Sequence, residues 1–189
     1  MRLVKSTFNQ SATLGVLLII SILFLLSSCM SIKPGSSKSG KKYYESFYVG
    51  EGGTQYFIKP ISFEKEKGKD EVFLDFTFRY RDNMNSNAVI NYSVQIDEII
   101  REVDSLVIIN ASNSMTSSVN KLLFNTREGD GFQSRYSTEV PLKKLKDLFG
   151  NNEWAVKVYA TGKEHIFYPS NKSKKKIKIL NDNVFILFN

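Results

Sequence analysis

Between Val72 and Tyr80 the apolar residues fall on every second position, Val72, Leu74, Phe76, Phe78 and Tyr80, with Asp75, Thr77 and Arg79 between them. A two-residue period turns one row of side chains toward one face of extended backbone, so this stretch requires a strand with one buried face. The same period returns in Ile90, Tyr92, Val94 and Ile96, after the turn-rich run from Arg81 to Asn87. Two such strands predict an antiparallel hairpin whose connection is longer than the tight two-residue form. Phe73, on the polar side, is expected under a loop or near a sheet edge.

The rest of the chain extends this pattern. Tyr43 to Val49 reads as a first strand, closed by a turn at Gly50, Gly52 and Gly53. Tyr56, Ile58 and Phe63 mark a second extended stretch, in which Pro60 weighs against a central position. Asp97 to Asp104 is ambiguous, since Ile99, Ile100 and Val103 also fit a short helix face; Leu106 to Ile109 reads more readily as a strand, and Asn110 to Ser118 as a polar loop. Leu122-Leu123-Phe124 begins another strand, and Phe132 to Val140 alternates imperfectly as one more. Leu142, Leu145, Leu148 and Phe149 recur at helical spacing behind Pro141 and ahead of Gly150, which predicts a helix over 141 to 149. Trp154, Val156 and Val158 return to strand spacing and place Trp154 in the core, with Ile166-Phe167-Tyr168 as a partner strand. Ser173 is expected to cap a short helix over 173 to 181, followed by a terminal strand over 184 to 188. The expected fold is mainly β, an immunoglobulin-like β-sandwich of antiparallel strands with one or two short helices, in a single domain over 43–189.

The N-terminal residues have a different composition. Arg2 and Lys5 precede an uncharged apolar run from Leu14 to Leu26, the layout of a secretion signal, and Leu26-Ser27-Ser28-Cys29 follows with the only cysteine of the chain. This run resembles the lipobox of bacterial lipoproteins. The resemblance covers residues 1–29. It implies a signal peptide over 1–28, acylation of the Cys29 thiol, cleavage before Cys29, and a membrane-lipid anchor in the bacterial cell envelope. Met30 is not the Asp that often retains Gram-negative lipoproteins at the inner membrane, so the resemblance points to the outer membrane. Residues 29–42, rich in Ser, Gly and Lys, are expected to form a flexible tether between the acylated cysteine and the domain.

Charge and site chemistry narrow the function further. Removing Arg2 and Lys5 from the 26 basic residues leaves 24 against 19 acidic ones, about +5, which is mild and argues against a dedicated nucleic-acid binder. That charge is concentrated near the C-terminus, where Lys172, Lys174, Lys175, Lys176 and Lys178 form a candidate patch for anionic ligands such as an acidic glycan. His165 is the only histidine, which leaves no set of zinc ligands and no recognisable catalytic triad. Gly50-Glu51-Gly52-Gly53 lacks the Lys and Ser/Thr of a phosphate loop, and Asp97, Glu98, Glu102 and Asp104 lack the ordered spacing of a calcium loop. No motif calls for a cofactor. The expectation is a lipid-anchored envelope protein whose β-domain binds an envelope protein or glycan, or has a structural role, without catalysis. The alternative is a secreted hydrolase, for example one acting on glycans, with carboxylates brought together by the fold.

Overall fold

The computed structural model describes residues 42–82 and 85–188. Among them ten strands form one antiparallel sheet. These are β1 (Tyr44–Tyr48), β2 (Thr54–Glu64), β3 (Glu71–Tyr80), β4 (Asn87–Ile96), β5 (Ser105–Ile109), β6 (Ser114–Ser117), β7 (Lys121–Glu128), β8 (Gly131–Pro141), β9 (Ala155–Ala160) and β10 (Lys163–Pro169). Two helices accompany them, α1 (Leu142–Phe149) and α2 (Asn171–Asn183). The strand order is β6-β5-β9-β10-β2-β3-β4-β8-β7, and β1 pairs with the first half of β2.

The alternating residues set both register and core. Val72 stands opposite Val94 and Phe76 opposite Ile90, so the apolar rows of β3 and β4 share one face, and all four are completely buried. On the other face Arg135 of β8 reaches Asp75 of β3 at 2.6 Å and Ser93 of β4 at 2.9 Å, tying three strands together. The sheet curls: Ser117, on the β6 edge, hydrogen-bonds Thr138 of β8, although the two strands lie near opposite ends of the strand order. Thr138 Oγ1 also donates to the Val119 carbonyl at 2.6 Å. Leu142, Leu145, Leu148 and Phe149, the predicted apolar face of α1, are buried against the inner face of this curl.

Several expectations are corrected. The stretch 184 to 188 is not a strand: Phe185–Leu187 is a 3-10 turn, and Val184, Phe185 and Phe188 are buried while Ile186 and Leu187 face outward. Helix α2 starts earlier than expected, because Ser170 is the cap, its Oγ accepting from the Ser173 amide at 3.3 Å. Ser173 is buried instead, and its hydroxyl bonds that of Ser62 on β2 at 3.2 Å. The polar loop over 110–118 contains β6, where Met115 and Ser117 alternate inward. Asp97 to Asp104 forms neither helix nor strand. Pro60 does sit within a long strand, at the point where the β2–β3 register shifts between Ile58 and Ile61, so the missing amide is accommodated by the irregularity.

Tyr92 and Tyr136 face each other across β4 and β8 and stack with ring centroids 5.3 Å apart. Their hydroxyls fare differently. Tyr136 Oη donates to the Ile100 carbonyl at 2.7 Å, whereas Tyr92 Oη is buried with no hydrogen-bond partner among the described residues. Burial is the main cause that pushes Tyr136 up to about 12 and Tyr92 further still. A buried hydroxyl without a partner costs about 1–3 kcal/mol of desolvation, so Tyr92→Phe should raise stability by about 1 kcal/mol. Tyr136→Phe, which strands the Ile100 carbonyl, should lower it by about the same amount. Urea midpoints of the two variants should move in opposite directions.

Candidate functional site

An aromatic groove lies where the β1–β2 hairpin meets the end of β3. Tyr44, Ser46 and Tyr48 stand opposite Ile58, Tyr56 and Thr54, and Thr54 in turn stands opposite Tyr80, so three strands bring their tyrosines to one side of the sheet. Tyr48, Tyr56 and Tyr80 line a groove of about 550 Å³ together with the Gly50–Gly53 turn, Arg81 and Asp82. Two of the groove's rings also pack on Phe188, which stacks on Tyr80 at 4.1 Å and meets Tyr56 edge-on at 5.5 Å. Tyr48 is 79% exposed, while Tyr56 is half-buried and its hydroxyl pKa is raised, first by burial and then by Tyr44 and Tyr80. Rings that offer an apolar face beside a hydroxyl suit ligands of mixed character, such as a sugar ring or an extended peptide. The sequence signal for this groove is the aromatic density of residues 43–57; its assembly from three strands is not visible there.

The lysine run occupies α2, where its members have different surroundings. Lys174 pairs with Glu153 at 2.5 Å and Lys178 with Asp182 at 2.8 Å, both on the surface. Lys176 turns back onto the fold: its Nζ donates to the carbonyls of Lys59 and Pro60 at 3.1 and 2.7 Å and lies 5.4 Å from the centroid of the Tyr43 ring. Burial, followed by the repulsion of Lys59 and Lys172, pulls its pKa down to about 8. It holds the two carbonyls exposed by the β2 irregularity, a structural task. Lys172 and Lys175, of the five lysines predicted as a patch, are exposed and form no ion pair among the described residues. Cys29, the expected lipidation site, lies outside the described residues.

Two further places bear on chemistry. Asp70, Asp97, Glu128 and Asp130 line a groove of about 360 Å³ at the end of the strands formed by the β2–β3 and β7–β8 turns, where Asp70 is paired to Lys65 at 2.9 Å. No group of three or more His, Cys, Asp or Glu among the described residues could hold a metal ion. His165 projects inward from β10, 8% exposed, with Nε2 lacking a hydrogen-bond partner among the described residues. Desolvation, reinforced by Lys65, lowers its pKa against the opposing pull of Glu98 and Asp70, which favours a neutral core imidazole. No helix among the described residues is long and apolar enough to cross a membrane. No known protein family, curated protein or solved structure matches the chain.

Proposed function

We propose that this chain is a bacterial envelope lipoprotein, held in membrane lipid through acylated Cys29, whose β-rich domain binds an envelope protein or an acidic glycan without catalysis. The observation that carries the reading is the order of its N-terminal residues: two basic residues, the apolar run from Leu14 to Leu26, then Ser27-Ser28 and the only cysteine. Two or three acyl chains at Cys29 anchor stably, at about 0.8 kcal/mol per buried methylene. The outer membrane is the destination that Met30 favours in a Gram-negative cell. The tyrosine groove between β1, β2 and β3 supplies a ligand surface, and Lys172 and Lys175 supply the charge for an acidic glycan. The two leaves of the sheet, β1-β2-β3-β4-β8-β7 and β6-β5-β9-β10, share only two ladder pairs among the described residues, both between β2 and β10, which supports reading them as the layers of an immunoglobulin-like sandwich.

Intact-mass measurement on protein purified from membranes tests the anchor. The mass of residues 29–189 plus acyl chains is expected, and an unmodified chain retaining residues 1–28 would refute it. Hydrolysis is the second reading, favoured by the groove that Asp70, Asp97, Glu128 and Asp130 share. Glycan turnover that disappears in Asp97→Asn would replace the binding role with that one.

A further inference from the structure

Strand β7 is an open edge. It is bonded on one side to β8 and on the other to no strand among the described residues, and all eight of its residues are exposed, Leu122, Leu123 and Phe124 among them. An unpaired edge with consecutive apolar side chains is a template for another strand, and the charges and bulge that usually blunt such an edge are here placed so that they suit one specific partner. We infer that β7 pairs with β7 of a second copy of this chain, antiparallel and about a two-fold axis through Asn125.

The register follows from parity and charge. In a two-fold antiparallel pair, facing residues project to the same side of the sheet, so a residue can face only one of its own parity. Lys121 and Glu128 are seven positions apart and would have opposite parity in a regular strand. The β7–β8 register, however, shifts between Leu122 and Phe124: Lys121 stands opposite Ser137, Leu122 opposite Tyr136, and Phe124 already opposite Arg135. The extra residue, Leu123, moves the later positions by one. Lys121, Phe124, Thr126 and Glu128 therefore share the outer side, and Leu122, Asn125 and Arg127 the inner.

With that phase, placing Asn125 on the axis sets Lys121 of each copy against Glu128 of the other, Leu122 against Arg127, and Phe124 against Thr126. Two ion pairs form at the ends, the Arg127 stems cover Leu122, and the facing Asn125 amides can exchange donor and acceptor. Neither Lys121 nor Glu128 forms an ion pair with another described residue, so both are available. Without the bulge the same eight residues would not be self-complementary.

The test is a charge swap on the full chain in detergent micelles, with association read by sedimentation. The wild type should form dimers. Lys121→Glu and Glu128→Lys should each weaken self-association by about tenfold, since each replaces two attractions with two repulsions. Mixing the two variants should restore dimers, because one then carries acidic residues at both positions and the other basic ones; the double substitution should restore self-pairing. Circular dichroism should be unchanged throughout, as both residues are exposed. A wild type that stays monomeric, single variants that dimerise as the wild type does, or a mixture that fails to recover would each overturn the pairing. So would crosslinking in membranes that joins β7 to a strand of a different protein.

Discussion

Trp154→Ala should lower the stability of the domain by about 3–5 kcal/mol, the range for truncating a buried aromatic, and depress Tm by roughly 10 °C or more. Trp154 is 2% exposed and lies among three rings: parallel to Phe63 at 6.0 Å, and edge-on to Phe76 at 6.4 Å and Phe149 at 4.8 Å. Its indole Nε1–H also donates to the carbonyls of Leu148 and Asn151 at 3.0 and 2.7 Å. Leu148 lies in the last turn of α1, where carbonyls lack the regular helical partner, and the same oxygen also accepts from the Asn110 side chain at 2.8 Å and from the Gly150 and Asn151 amides. One side chain thus joins β2, β3 and the end of α1. Trp154→Phe separates the two contributions: it keeps most of the ring packing and removes the donor, so about 1–2 kcal/mol should be lost. Thermal denaturation of both variants decides the matter. If phenylalanine costs as much as alanine, the hydrogen bonds, and not the ring contacts, hold this junction.

Trp154 was legible because it opens a run of period two, and the same is true of most of the core. Val72, Leu74, Phe76 and Phe78, and Ile90, Tyr92, Val94 and Ile96, are buried as their alternation requires, and Leu142, Leu145, Leu148 and Phe149 are buried at helical spacing. The reading fails where the period breaks. On β2 the buried positions run Ile58, Ile61, Phe63, because the register shift near Pro60 inserts a residue, so the strand shows no clean alternation. At the C-terminus Val184-Phe185-Ile186-Leu187-Phe188 has strand composition, but Phe185 stacks on Phe149 at 4.1 Å and Phe188 on Tyr80. Ring contacts to distant elements overrode local preference.

The candidate surfaces divide in the same way. A run of five lysines can be seen in the sequence, yet what each does depends on residues far away: Glu153 for Lys174, and the Lys59 and Pro60 carbonyls and the Tyr43 ring for Lys176. Charge count alone treats them as equivalent. Leu122-Leu123-Phe124 is visible as strand-forming, but the exposure of the whole of β7 is a consequence of its place at the end of the strand order, which the segment itself does not encode. The tyrosine groove needs the registers of β1 on β2 and of β2 on β3, neither of which a single segment encodes.

Gly53→Ala should be the most damaging single-methyl change in the hairpin that shapes that groove. Gly53 has φ +81° and ψ −145°, a conformation essentially confined to glycine, and a Cβ there would lie 2.3 Å from the Tyr80 carbonyl oxygen and 2.7 Å from Arg81 Cα. Both obstacles are backbone, so relief requires β2 to move off the end of β3. The hairpin would also lose the hydrogen bonds that close it, from the Val49 amide to the Gly53 carbonyl at 2.9 Å and from the Gly53 amide to the Gly50 carbonyl at 3.0 Å. The expected cost is about 3 kcal/mol or more, the strain of the backbone conformation together with the displaced pairing. Gly50 provides the comparison within the same turn: its φ is +63°, but an added Cβ would meet nothing within 4 Å. Gly50→Ala should therefore cost only the left-handed conformation, about 1 kcal/mol. Denaturant unfolding of the two variants measures the difference. Equal losses would mean that backbone conformation alone governs this turn. A loss several times larger at Gly53 would place the constraint in its close approach to Tyr80 and Arg81, two residues that wall the groove.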